Sequence, residues 1–246
     1  MAMVQPWREI TPENRKVIFC MSSFVGTHTI MSHPNIREWL IGKLTLANFV
    51  GVYSLISAAT LLPALHTYVI RTKNTGPMIP LIEQNQDLCF KIGVLFKLLA
   101  IQFIPLFQTG TQPAEVGLTS TAKQERSSQP VRGVMKITRH PLFWMFNFFG
   151  LGLILTNGTY SDLYFNAFLL SEGVFGALHQ DYRHRQSEKL DAKFFENTTW
   201  YPNVFNIRSA LQDISWDRLF AEVAITTFGI LYFTGKLQFS NFKQKN

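Results

Sequence analysis

The chain has 246 residues and a formal net charge of +7, but only 16% of its residues are charged, against about 25% in an ordinary soluble domain. Phenylalanine occurs 22 times and hydrophobic residues reach 47%, so the mean hydropathy of +0.07 averages long apolar runs with polar loops. That composition excludes intrinsic disorder. Two isolated cysteines, Cys20 and Cys89, exclude a disulfide framework and a CxxC metal or redox site.

In chain order, residues 1–16 read as a soluble N-terminal segment. Glu9 and Glu13 and the absence of a small-residue cleavage site speak against a signal or transit peptide. Residues 17–32 form a short apolar run interrupted by His28, too short to guarantee a full crossing. Residues 45–70 carry no charge and are long enough to cross a bilayer with tilt. Pro63 is expected to kink that helix without ending it. Residues 88–107 are apolar except for Lys91, which can snorkel from an end, and Lys97, which must face protein or water. A polar stretch, 108–138, follows. Pro141 then opens the run 141–161, whose Asn157-Gly158 pair suits a left-handed helix cap. Residues 160–179 contain Asp162 and Glu172; the latter is expected to meet Lys97 or a buried hydroxyl. A post-span segment, 180–218, leads to a last apolar run at 219–235 and a soluble tail, 236–246.

The expectation is an all-α, polytopic membrane bundle of five to six transmembrane helices, with 17–235 as one membrane domain. The 23 Lys+Arg against 16 Asp+Glu fit loop charges better than nucleic-acid binding. With six crossings, the side holding 33–44, 108–140 and 180–218 carries 13 Lys and Arg, and the opposite side 8. The positive side therefore carries the loops that flank 141–179.

Two clusters stand out on that side. Thr138-Arg139-His140-Pro141 puts a cation and an imidazole at the mouth of a proline-started helix, a position able to hold a lipid or nucleotide anion. The alternative is an interfacial anchor. His179-Gln180-Asp181-Tyr182-Arg183-His184-Arg185 follows the next span, and Asp181 and Arg183 are able to pair with the Arg139–His140 corner and stitch two spans together. Histidines within spans, His28 and His66, can ligate haem, relay a proton or bridge helices.

Phe24-Val25-Gly26-Thr27-His28, Arg37-Glu38-Trp39-Leu40-Ile41-Gly42-Lys43-Leu44 and Gly51-Val52-Tyr53-Ser54-Leu55-Ile56-Ser57 come first. They are followed by Gly133 to Trp144, Thr156-Asn157-Gly158 and His179-x-Asp181-x-Arg183. In this order and spacing the chain resembles the NnrU family of multi-span proteins, to which the haem-dependent plant zeta-carotene isomerase belongs. The resemblance runs from residue 20 to about 207. Arg-His-Pro at the start of a span is also distantly similar to isoprenylcysteine carboxyl methyltransferases.

The resemblance implies a haem between a first-span histidine, His28, and a second ligand thirteen residues beyond His140, where this chain has Leu153. Leucine has no lone pair to give iron. Met145 stands where the family has glycine. His28 alone, or with His140 or His66 in the second place, is the remaining route to haem b. No other cofactor, no metal and no catalytic residue is expected.

The expected function is therefore a non-catalytic accessory or structural subunit of a larger membrane complex, such as one of a respiratory chain. Its partners would be other membrane subunits and lipids, with Arg139, His140, Asp181 and Arg183 as the lipid- or anion-binding set. The alternative is a haem-binding isomerase or redox protein acting on a polyene or quinone. The expected location is the mitochondrial inner membrane, ahead of a plastid or bacterial inner membrane.

Overall fold

The computed structural model describes residues 10–107, 131–186, 192–213 and 216–233. Most of the expected 108–138 loop, residues 1–9 of the N-terminal segment and the 236–246 tail lie outside the described residues, whereas 12–16 form the start of α1. Among those described, every long element is a helix: α1 (Pro12–Ser32), α2 (Pro34–Leu44), α3 (Leu46–Thr67), α4 (Pro80–Gln84), α5 (Gln86–Phe107), α6 (Pro141–Asn157), α7 (Tyr160–Gln186), α8 (Ala192–Glu196), α9 (Ile207–Leu211) and α10 (Trp216–Phe233).

The boundaries follow from local chemistry. Thr11 caps α1 by accepting from the Asn14 backbone N–H at 3.2 Å, with Pro12 in the first helical position. Helix α3 runs through Pro63 and widens one turn later into a π-turn at Tyr68–Thr72. The Thr67 hydroxyl donates to the Pro63 carbonyl at 2.7 Å there. Helix α6 ends on Gly158 in the left-handed conformation, φ +76°, as the Asn-Gly pair predicts. Helix α7 corrects the sequence reading: it does not stop near 179 but continues to Gln186. Nothing in 177–186 breaks a helix, and Asp181 within that extension is tied to a neighbouring element.

Leu46–Thr72 is the one stretch among the described residues both long and apolar enough to cross a membrane; α6 and Val223–Tyr232 are apolar but shorter. Helix α5 packs most extensively on α6, and α6 on α7; α1 packs on α3 and α7, and α10 on α5. The α5–α6 crossing depends on two glycines. A Cβ on Gly93 would sit 2.9 Å from the Gly152 carbonyl oxygen, and one on Gly152 would sit 2.8 Å from that of Gly93. No side chain fits between the two backbones.

Two apolar clusters hold the ends of the bundle. Val17, Met21, Ala64, Tyr68 and Phe165 join α1, α3 and α7. Phe103, Val134, Met135, Ile137 and Ala210 form the other, with Met145 packed against it. Met145 is thus a half-buried side chain covering that cluster.

Candidate functional site

Three elements build a closed polar corner beside the start of α6. Arg139 precedes the helix, His140 is its N-cap residue, and Asp181 projects from the extension of α7. The Arg139 Nε donates to both carboxylate oxygens of Asp181, at 2.8 and 3.0 Å, and Nη2 donates to Oδ2. His140 Nε2 is hydrogen-bonded to Asp181 Oδ1 at 2.6 Å, and its Nδ1 to Gln180 Oε1 at 3.0 Å. Burial alone would raise the Asp181 carboxyl, but the hydrogen bonds and charges of His140 and Arg139 hold it well below the usual carboxylate range.

The segment after α8 straps this corner. Arg139 Nη1 donates to the Thr198 carbonyl at 2.8 Å, and the Arg139 backbone N–H to that of Thr199 at 2.9 Å. The Trp144 indole and the Thr138 hydroxyl both donate to the Trp200 carbonyl, at 2.6 and 2.9 Å. The Arg139 guanidinium lies over the Phe195 ring, 5.2 Å from its centroid. The structure therefore brings Arg139, His140 and Asp181 together. It places Arg183 elsewhere, although sequence reasoning put it in the same set.

Arg183 belongs to a cavity of about 320 Å³ enclosed by α1, α3, α6 and α7. His28, Thr29 and Ser32 line it from α1, Tyr53 and Leu61 from α3, and Leu142, Phe143 and Phe146 from α6. From α7 come Glu172, Gly176, His179 and Arg183, a stripe at helical spacing. The His28 ring is oriented from two sides. Its Nδ1 is 3.1 Å from the Phe24 carbonyl, which fixes that nitrogen as the donor and leaves Nε2 the acceptor, 3.4 Å from the Ser57 hydroxyl.

Two other groups of the cavity lack protein partners. His179 Nε2 is buried without a hydrogen bond. Glu172 has neither hydrogen-bond nor ion-pair partner among the described residues. The expected meeting of Glu172 with Lys97 does not occur, because Lys97 sits on α5 and donates to Thr156 on α6 at 3.2 Å.

The positions named for a second haem ligand do not face His28, and the other histidine lining the cavity is His179. Leu153 is not among the residues lining the cavity, and it has no donor atom. His140 has both ring nitrogens engaged. His66 is exposed and outside the cavity. Among the described residues no three His, Cys, Asp or Glu side chains gather as a metal site. Sequence reasoning missed Tyr53 and Gln180 as cavity walls, and Ser57 beside His28. The spacing of Glu172, His179 and Arg183 on one helical face was the signal available for the α7 side.

A family model described as NnrU protein matches residues 16–238, nearly the whole chain. No curated protein and no solved structure matches the chain.

Proposed function

The chain belongs to the NnrU family, and from that premise we propose that it is a polytopic membrane protein of five to six spans. It acts as a non-catalytic accessory subunit of a larger membrane complex, of the respiratory-chain kind, in the mitochondrial inner membrane. The observation that carries this reading is the donor set: Leu153 takes the place of the family's second ligand, and the Arg139–His140 pair is consumed in holding two helices and a strap together. A scaffold that keeps its interhelical ties but has leucine at that ligand position suits assembly better than catalysis.

The spans of this reading lie in α1, α3, α5, α6, α7 as far as residue 179, and α10, helices that run from 17 to 27 residues in all. At about 1.5 Å per residue the shorter ones approach the roughly 30 Å of hydrocarbon, and the longer ones exceed it. Large apolar side chains exposed along them, among them Leu55, Leu62, Phe175 and Phe220, support the same reading.

The test is the native size of the protein extracted from its own membrane in mild detergent. The expected result is a defined particle of several hundred kilodaltons, with Phe146→Glu reducing its recovery. Migration as a lone 28.2 kDa chain plus micelle would sink the subunit reading. A second reading, a haem protein working on a lipid-soluble polyene or quinone, is favoured by the cavity-facing His28 Nε2. It requires a Soret band that His28→Ala abolishes.

A further inference from the structure

The cavity walled by α1, α3, α6 and α7 holds polar groups that the assembly role does not use. Its walls are aromatic as well as aliphatic: Phe24, Tyr53, Phe143 and Phe146 all contribute. Leu142 and Phe146 line it and are 42% and 38% exposed, so the cavity opens to the surface of the bundle along α6. In the membrane reading, on which this inference rests, that opening faces lipid.

An acyl chain is the simplest occupant of a lateral opening, but it leaves the interior unexplained. A methyl terminus brought against Glu172 and His28 Nε2 satisfies neither of them, and ionisable groups inside an apolar bundle are costly without a partner. Pockets of this kind combine apolar walls with a few convergent polar groups that fix the ligand's orientation. Here those groups come from different helices, His28 from α1 and Glu172 from α7. The volume, about 320 Å³, is at the small end of ligand sites, enough for one ring and the start of a tail.

We infer that the cavity is a lateral-entry site for a lipid-soluble, hydroxylated ring of the hydroquinone class, seated polar end inward between His28 and Glu172 with its tail toward lipid. The ring lies among the four aromatic side chains. One hydroxyl donates to His28 Nε2, which the bond from Nδ1–H to the Phe24 carbonyl leaves as the acceptor while the Ser57 hydroxyl gives its proton to the Tyr53 carbonyl. A second oxygen meets Glu172. Binding alone is involved; no electron or proton transfer is part of the assignment.

The test is equilibrium binding of a short-tailed ubiquinol analogue, kept reduced, to the full-length protein in mild detergent, with decanoic acid as competitor. Saturable binding that decanoic acid does not displace is expected. His28→Leu and Glu172→Leu should each weaken it about tenfold, the loss expected for one hydrogen bond in an apolar site. Glu172→Gln, which keeps the shape and a donor, should retain most of it. Phe175→Ala on the exposed face should change nothing, and melting curves of each variant confirm that it is folded. Displacement by decanoic acid, no binding to the wild type, or wild-type binding by both leucine variants would overturn the assignment. An alkaline wash of the native membrane is read separately: release of the protein would remove the membrane reading, whereas retention with no binding removes only the ligand.

Discussion

The Arg139–His140–Asp181 corner and the His28–Glu172 cavity lie on either side of the start of α6 and are built from the same kinds of residue. They differ in what those residues face. In the corner every charge has a partner: a forked guanidinium–carboxylate contact, an imidazole bonded at both nitrogens and a backbone strap. In the cavity the Glu172 carboxyl lines an open volume without a protein partner among the described residues. The corner is a lock and the cavity is a receptacle. The distinction is made by partners and not by residue type.

The largest expected effect is on the lock. Asp181→Ala leaves Arg139 buried and uncompensated, since its side chain is only 7% exposed beside an Asp181 that is 11% exposed. It should cost about 3–5 kcal/mol, measured by thermal or denaturant unfolding in detergent. A loss near zero would mean that the corner holds nothing together.

The same carboxylate sets an acid limit. Its pKa is lowered on folding, so its contribution is fully present above the ordinary value of 3.8 and is lost as pH falls through the lower folded value. Melting temperature should therefore be insensitive to this group from neutral pH to about 5 and decline progressively below about 4. Asp181→Asn should remove that part of the decline.

The cavity predicts the opposite sign. Glu172→Leu removes a carboxyl with no protein partner, so stability should stay the same or rise by up to about 1 kcal/mol while ligand binding falls. A loss as large as that from Asp181→Ala would erase the contrast between the two regions.

The smallest effect belongs to a half-exposed pair. Lys136 and Asp213 meet at 2.8 Å with side chains 27% and 23% exposed, and Asp213 also accepts from the Gly133 backbone N–H at 2.7 Å. Asp213→Asn should cost below about 1 kcal/mol by the same unfolding measurement.

Sequence patterns located the lock more completely than the receptacle. Thr138 to Pro141 and His179 to Arg185 are local runs with unusual charge, and pairing between Asp181 and Arg139 follows from opposite charge on adjoining spans. Arg183 was grouped with them because it is two residues from Asp181. On a helix, two residues amount to a rotation of about 200°, which carries Arg183 to a different face and into the cavity. The run of Glu172 could not reveal that it would miss Lys97. That depended on α5 packing against α6 through Gly93 and Gly152, which leaves Lys97 beside Thr156.

By itself the sequence determined the helical class, the apolar runs and their caps, the family succession and the absence of a donor at Leu153, because each is carried by composition or by neighbours in the chain. The length of α7 and the shape of the cavity were decided by tertiary structure. Both rest on contacts between residues far apart in sequence: Asp181 with Arg139 holds the helix extension, and four helices meeting around His28 leave a volume that no single segment encodes. A side chain's role there is fixed by what lies across from it.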